Sequence, residues 1–223
     1  MSAPSPTRRT LLRLSAGTAT LLATGAFAPA AYAQRKADAP VSLDELMKPD
    51  ALPDLVLGKA DAPVTIVEYA SMTCGHCANF HNKVFPSIKE KYIDTGKVRF
   101  IMREFPLDTL AAAASMLTRC AGGDKSVPLI GVLFAKQEEW AFVRNNAVPE
   151  LFKIAKQAGF TQESFDKCLT DQALLDKITQ GRERASKSFG VDATPTFFIN
   201  GKRMKEGPTT EGFDKAIGEV IKS

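Results

Sequence analysis

The run Val64-Thr65-Ile66-Val67-Glu68-Tyr69-Ala70, followed three residues later by Cys74-Gly75-His76-Cys77, constrains this chain more than any other feature. The run is rich in β-branched residues, and its length and apolar character predict a buried strand of an α/β sheet. Beyond it, Cys77, Phe80, Val84, Ile88 and Tyr92 recur at helical spacing, which predicts a helix starting near Cys74. Pro86 inside that helix predicts a kink or an early stop. Two cysteines therefore open a helix directly after a strand. Backbone N–H groups without intrahelical partners and the helix dipole favour an anion there. Cys74 is expected to be an exposed attacking thiolate, with His76 adding positive charge or a hydrogen bond nearby. Cys77, one turn into the helix, is the expected buried resolving thiol, and exchange would run through a mixed disulfide with the substrate.

Other uses of this motif fit less well. Structural zinc needs about four ligands, and Cys74, Cys77 and His81 supply three at most. A c-type haem needs His after the second Cys, where this chain has Ala78. A cysteine protease needs a distant His, and none lies beyond His81. No metal and no cofactor other than a Cys74–Cys77 disulfide are expected.

Strand signals at Leu55-Val56-Leu57 and at Val98 to Phe105 flank the motif region. Helices are expected over Asp108 to Ala121, Pro128 to Trp140, Val148 to Ala158, Thr161 to Leu169 and Asp171 to Phe189. Strands return at Thr196 to Ile199 and Lys202 to Lys205, around the hairpin dipeptide Asn200-Gly201. Thr209 or Thr210 caps a last helix to Ile221. The order is strand, helix, strand, helical block, hairpin, helix. It reads as a small α/β domain, 63–106 and 190–223, with a helical insertion over 107–189 and a lead-in over 34–62 that holds one helical turn at Leu43 to Met47.

Residues 1–33 read as an export signal. Arg8, Arg9 and Arg13 precede a weakly apolar stretch that ends in Ala31-Tyr32-Ala33, an A-x-A cleavage pattern. Thr7-Arg8-Arg9-Thr10-Leu11-Leu12 resembles a twin-arginine signal, with an ordinary Sec signal as the alternative route. The formal charge of +4 falls to nearly neutral once these arginines are removed, so charge gives no sign of a nucleic-acid partner. Export, a periplasmic setting and the four cysteines together make disulfides permissible. Cys120 and Cys168 are then candidates for a structural bridge, with two free buried thiols or a second redox pair as alternatives.

Glu68-Tyr69-Ala70-Ser71-Met72-Thr73-Cys74-Gly75-His76-Cys77, with Val191-Asp192-Ala193-Thr194-Pro195-Thr196-Phe197 downstream, resembles the DsbA-like branch of the thioredoxin superfamily. The resemblance covers nearly all of the chain after the leader. It implies an α/β thioredoxin fold, a central mixed β-sheet flanked by helices, with a helical insertion domain. It also implies a thiol–disulfide oxidoreductase, foremost a dithiol oxidase of exported proteins. Pro195 would be cis and face the cysteine pair, leaving the Thr194 backbone to pair with an extended substrate segment alongside Gly75 and His76. DsbA itself has Pro where this chain has Gly75, so its redox potential does not carry over. The family has an acid at the position of Glu68. A carboxylate in that strand either faces solvent at the strand end or is a buried proton relay for Cys77, with Arg103 or Glu104 as a candidate neighbour. Some members carry an extra bridge such as Cys120–Cys168. Reduced or unfolded exported proteins are the implied substrates, a quinone-coupled membrane protein the implied reoxidase, and a monomer the implied state. An isomerase or reductase of the same fold is the alternative, and a Cys/His metal-handling protein is the alternative from another class. Met72 and Phe198 are candidates for either a substrate groove or the core. Arg182, Arg184 and Lys187 read as a solvated helix face.

Overall fold

The computed structural model describes residues 41–222. The export signal expected over 1–33 and the first part of the lead-in lie outside them, and the rest of the lead-in holds the short helix α1 (Leu43–Met47). Strand β2 (Val64–Ala70) runs through the middle of a five-stranded sheet. It pairs in parallel with β3 (Val98–Glu104) and antiparallel with β4 (Thr196–Ile199). The edges are β1 (Leu55–Leu57), antiparallel to β3, and β5 (Lys202–Arg203), antiparallel to β4, so the sheet is mixed. Both faces of β2 are covered, which is why it reads as a continuous apolar run rather than an alternating one. Val64, Ile66 and Ala70 join the larger core cluster on one face, and Val67 and Tyr69 the smaller cluster on the other. By the same alternation Glu68 belongs to the larger cluster's face.

The second strand of the hairpin is shorter than the sequence predicts, ending at Arg203. Its turn is held by Asn200 and Gly201, both at positive φ. A Cβ on residue 201 would collide with the carbonyl of Val41, so the lead-in can lie on this turn only over a glycine.

After β2 the chain enters α2 (Gly75–Asn79), a π-helical turn over Phe80–Val84, α3 (Phe85–Ile88) and a second π-helical turn over Lys89–Ile93. Pro86 therefore neither stops the helix nor leaves it regular. Its ring would strike the carbonyl four residues back in an α-helix. The π turn instead lets the Phe85 N–H reach Phe80 O, five residues back. Phe80, fully buried, ties this run to β4 and to the last helix, α10 (Thr210–Ile221), with ring centroids 4.7 Å from Phe197 and 5.3 Å from Phe213.

Between β3 and β4 lie α4 (Thr109–Ala121), α5 (Ser126–Ala135), α6 (Gln137–Trp140), α7 (Val148–Gln157), α8 (Gln162–Leu169) and α9 (Gln172–Phe189). Asp108, Thr161 and Asp171 cap α4, α8 and α9 by accepting from free N–H groups, as their side chains predict. The single helix expected over 128–140 breaks at Lys136 (φ −104°, ψ 17°). The break turns Gln137 inward, and its function is described below. Trp140 is fully buried and donates to Leu133 O.

Of the two readings offered for Met72 and Phe198 the core one holds, and the expected solvated face of α9 is corrected. Met72 and Phe198 are buried in the core rather than lining a groove. On α9, Lys187 is exposed, but Arg184 donates to the carbonyls of Glu45, Lys48 and Pro49, and Arg182 lies over the Phe105 ring. Arg184 binds these lead-in carbonyl oxygens, so this face is covered rather than solvated. No helix among the described residues is long and apolar enough to cross a membrane.

Candidate active site

Cys74 is the N-cap residue of α2, in extended backbone conformation, and Cys77 lies in the first turn. Both are free cysteines. Cys77 is fully buried, and Cys74 is 8% exposed, more sheltered than an open attacking thiolate. The loop before it is held at several points. Cys74 N–H donates to Ser71 O, and Thr73 Oγ1 donates to Asp108 at 2.7 Å. Buried Gln137 donates through Nε2 to Met72 O at 2.8 Å and Cys74 O at 3.1 Å. That contact joins the insertion to the motif, and nothing in the local sequence signals it.

The Thr194–Pro195 peptide bond is cis and lies against the motif, where the protonated Cys74 thiol donates to Thr194 O at 3.2 Å. Gly75 and His76 are exposed at the rim, and a Cβ at position 75 would meet no atom within 4 Å. His76 acts on the Cys74 sulfur through its backbone N–H.

The two thiols are pushed in opposite directions. The Cys74 thiol is lowered to about 5. A hydrogen bond from the Cys77 thiol to the thiolate contributes most. Burial opposes it, and the Thr194 side chain and the N–H groups of Cys77 and His76 reinforce it. Cys77 is driven well above the usual thiol range, chiefly by burial, with its bond to Cys74 and the nearby charge of Glu68 acting the same way. At neutral pH the reduced pair is a Cys74 thiolate beside a Cys77 thiol.

Glu68 is fully buried, so it does not face solvent. Neither suggested neighbour is its partner. Arg103 points to the opposite sheet face, where it donates to Asp54, Leu46 O and Tyr69 Oη, and Glu104 pairs with Arg119. The partner is His81, whose Nε2 lies 2.8 Å from Glu68 Oε2. Sequence reasoning weighed His81 only as a metal ligand or protease base. The available signal was its i, i+4 spacing from Cys77, which puts it on the buried side of the helix, where an imidazole needs a polar partner.

Cys120 and Cys168 form a disulfide with sulfurs 2.14 Å apart, joining α4 to α8. Among the described residues, no group of three or more His, Cys, Asp or Glu side chains could hold a metal ion.

The thioredoxin family model matches residues 50–219. The "Putative protein-disulfide oxidoreductase" of Rickettsia bellii is 36% identical over 169 residues, 74% of this chain and 65% of that protein. The chain thus spans somewhat under two thirds of the length of that relative. The crystal structure of Wolbachia pipientis alpha-DsbA1 is 34% identical and superposes with a TM-score of 0.72, covering 81% of this chain and 98% of that one. Oxidised BdbD from Bacillus subtilis shares the fold at 23% identity and a TM-score of 0.68, over 84% of this chain and 99% of that one.

Proposed function

The chain belongs to the DsbA-like family of the thioredoxin superfamily, and from that premise we propose that it is a dithiol oxidase working through the Cys74–Cys77 pair. The observation that carries this reading is the opposed ionisation of the two thiols, with Cys74 near 5 and Cys77 driven up. A pair so biased is more stable reduced, and therefore takes electrons from ordinary thiols.

In the first step a substrate thiolate attacks Cys74 Sγ of the oxidised pair. The Cys74–Cys77 bond breaks, its electrons leave on Cys77, and Cys77 takes a proton. The substrate's second thiolate then attacks the substrate sulfur of the mixed disulfide. Cys74 leaves as a stable thiolate, and the substrate carries the new disulfide. Two electrons have passed to the enzyme, and the leaving group of the second step needs no proton. Buried Glu68, whose charge acts on Cys77, is the proton donor and acceptor for that sulfur. The segment at Thr194 and Pro195, with Gly75 and His76 across the cleft, receives an extended substrate strand. No cofactor is needed beyond the cysteine pair.

The substrates on this reading are reduced proteins exported with this one after loss of residues 1–33, and an oxidising membrane partner coupled to quinone restores the disulfide. The protein acts as a monomer, with Cys120–Cys168 as a structural staple. Refolding of ribonuclease tests the direction of the reaction. Activity appearing from the reduced enzyme substrate, but not from scrambled ribonuclease, is expected of an oxidase. Preferential rescue of the scrambled form would identify an isomerase instead.

A further inference from the structure

Cys77 gains a proton in one half of the proposed cycle and loses it in the other, yet it is fully buried. Its neighbour Glu68 is also fully buried, so a second group must connect the carboxylate to water. Glu68 Oε2 meets His81 Nε2 at 2.8 Å, while Oε1 is buried and has no hydrogen-bond partner among the described residues. The imidazole is held flat against Phe134, with ring centroids 4.4 Å apart at 18°, and Phe80 and Phe85 flank it. Its Nδ1 bonds to no described residue. The ring also lines a small cleft of about 80 Å³ with Leu57, Phe85, Phe100, Val127 and Ile130. Neither Cys74 nor Thr194 nor Pro195 contributes to that cleft. One side chain thus reaches from the buried carboxylate to a second opening in the surface.

Resting on the oxidoreductase reading above, we propose that His81 is the outer station of a proton relay that runs from Cys77 through Glu68 and His81 to the cleft. His81 touches no reacting sulfur, so it is a positioning and relay residue acting through Glu68. When a substrate thiolate opens the disulfide, Cys77 takes the proton of the Glu68 carboxyl group. His81 passes its Nε2 proton to the carboxylate as its Nδ1 takes one from water in the cleft, so the imidazole stays neutral. During reoxidation by an external disulfide the order reverses. Water in the cleft takes a proton from His81, His81 Nε2 takes the proton of Glu68, and the freed carboxylate takes that of Cys77, while the Cys77 sulfur closes the bond to Cys74 and the electrons leave on the external thiol. The route exchanges protons without disturbing the substrate that covers Cys74. The titratable group facing the pair is Cys77 from α2. Strand β3 presents Met102, β4 presents Phe197 and α5 presents Phe134, none of which titrates.

Glutathione disulfide separates the two steps in stopped flow with the reduced protein. Cys74 forms the mixed disulfide, and Cys77 then resolves it. His81→Phe keeps a ring on Phe134, and His81→Gln keeps a donor toward Glu68, but neither side chain can pass a proton on. In both, mixed-disulfide formation should match wild type, while resolution slows by about tenfold or more and loses one inflection from its pH profile. Resolution by the wild-type protein should also show a solvent deuterium isotope effect with a curved proton inventory, a measurement that does not depend on the variants folding. Resolution with unchanged rate or pH profile in the variants, or no isotope effect in the wild type, would overturn the relay. Failure of Cys74 to form the mixed disulfide at all would instead overturn the oxidoreductase reading.

Discussion

Replacing Cys77 with Ala tests the electrostatics of the motif, because the Cys77 thiol is the strongest stabiliser of the Cys74 thiolate. A hydrogen bond to a charged acceptor contributes about 1.5–3 kcal/mol. One pH unit corresponds to about 1.36 kcal/mol, so its loss should raise the Cys74 midpoint by roughly one to two units. From about 5 in the wild type, the midpoint in Cys77→Ala should move to roughly 6–7. It should stay below the free-thiol value because the N–H groups of Cys77 and His76 and the Thr194 side chain remain. Cys77→Ser keeps a hydroxyl donor and should fall nearer the wild type. Ultraviolet thiolate absorbance against pH, checked by the pH dependence of alkylation, reads both midpoints. An unchanged midpoint in Cys77→Ala, or a wild-type midpoint at the ordinary thiol value, would refute the reasoning.

Three further outcomes follow from the same contacts. The depressed Cys74 ionisation should stabilise the reduced protein relative to reduced Cys74→Ser. The advantage is complete above the unfolded thiol's pKa and is lost as pH falls through about 5. At pH 7 it should be about 1–2 kcal/mol after solvent screening at this rim, read by urea unfolding. Gln137→Leu leaves the Met72 carbonyl without its donor and the Cys74 carbonyl with the Ala78 N–H alone, and should cost about 1–3 kcal/mol, with altered Cys74 alkylation kinetics. Unchanged stability and kinetics would remove Gln137 from the site's support. Replacing Cys120 and Cys168 together by Ala opens a cross-link of sequence separation 48, which should lower stability by roughly 4 kcal/mol in the chain-entropy view. Ribonuclease oxidation at a temperature below the variant's unfolding should continue at the wild-type rate.

What could be read from the sequence was local. The β2 run, the cysteines at the following helix, the Asn200-Gly201 turn and the capping residue Thr209 each announce themselves within a few positions. The downstream Thr194–Pro195 needed the family resemblance, because a cis bond is a minority state of any X-Pro pair. What was missed depends on tertiary geometry. Glu68 and His81 are 13 residues apart, and the π turn forced by Pro86 lies between Cys77 and the rest of the helix. Strand alternation alone excludes Arg103 as a neighbour of Glu68, but no periodicity points to His81 as the partner. Gln137 reaches the motif from 63 residues away in sequence, through a helix break that propensity does not forecast. Arg184 looked solvent-facing until the lead-in supplied carbonyls for it to bind.

The central claim is that Cys74 and Cys77 accept electrons from a substrate dithiol while Cys120 and Cys168 stay joined. A single turnover measures this directly. Oxidised protein is mixed with a slight deficit of a reduced two-cysteine peptide, quenched in acid, alkylated and mapped by mass spectrometry. The account predicts a disulfide in the peptide, with label on Cys74 and Cys77 in matching amounts and none on Cys120 or Cys168. A peptide left reduced, or label arriving on Cys120 and Cys168 with Cys74 and Cys77 still bonded, would contradict it.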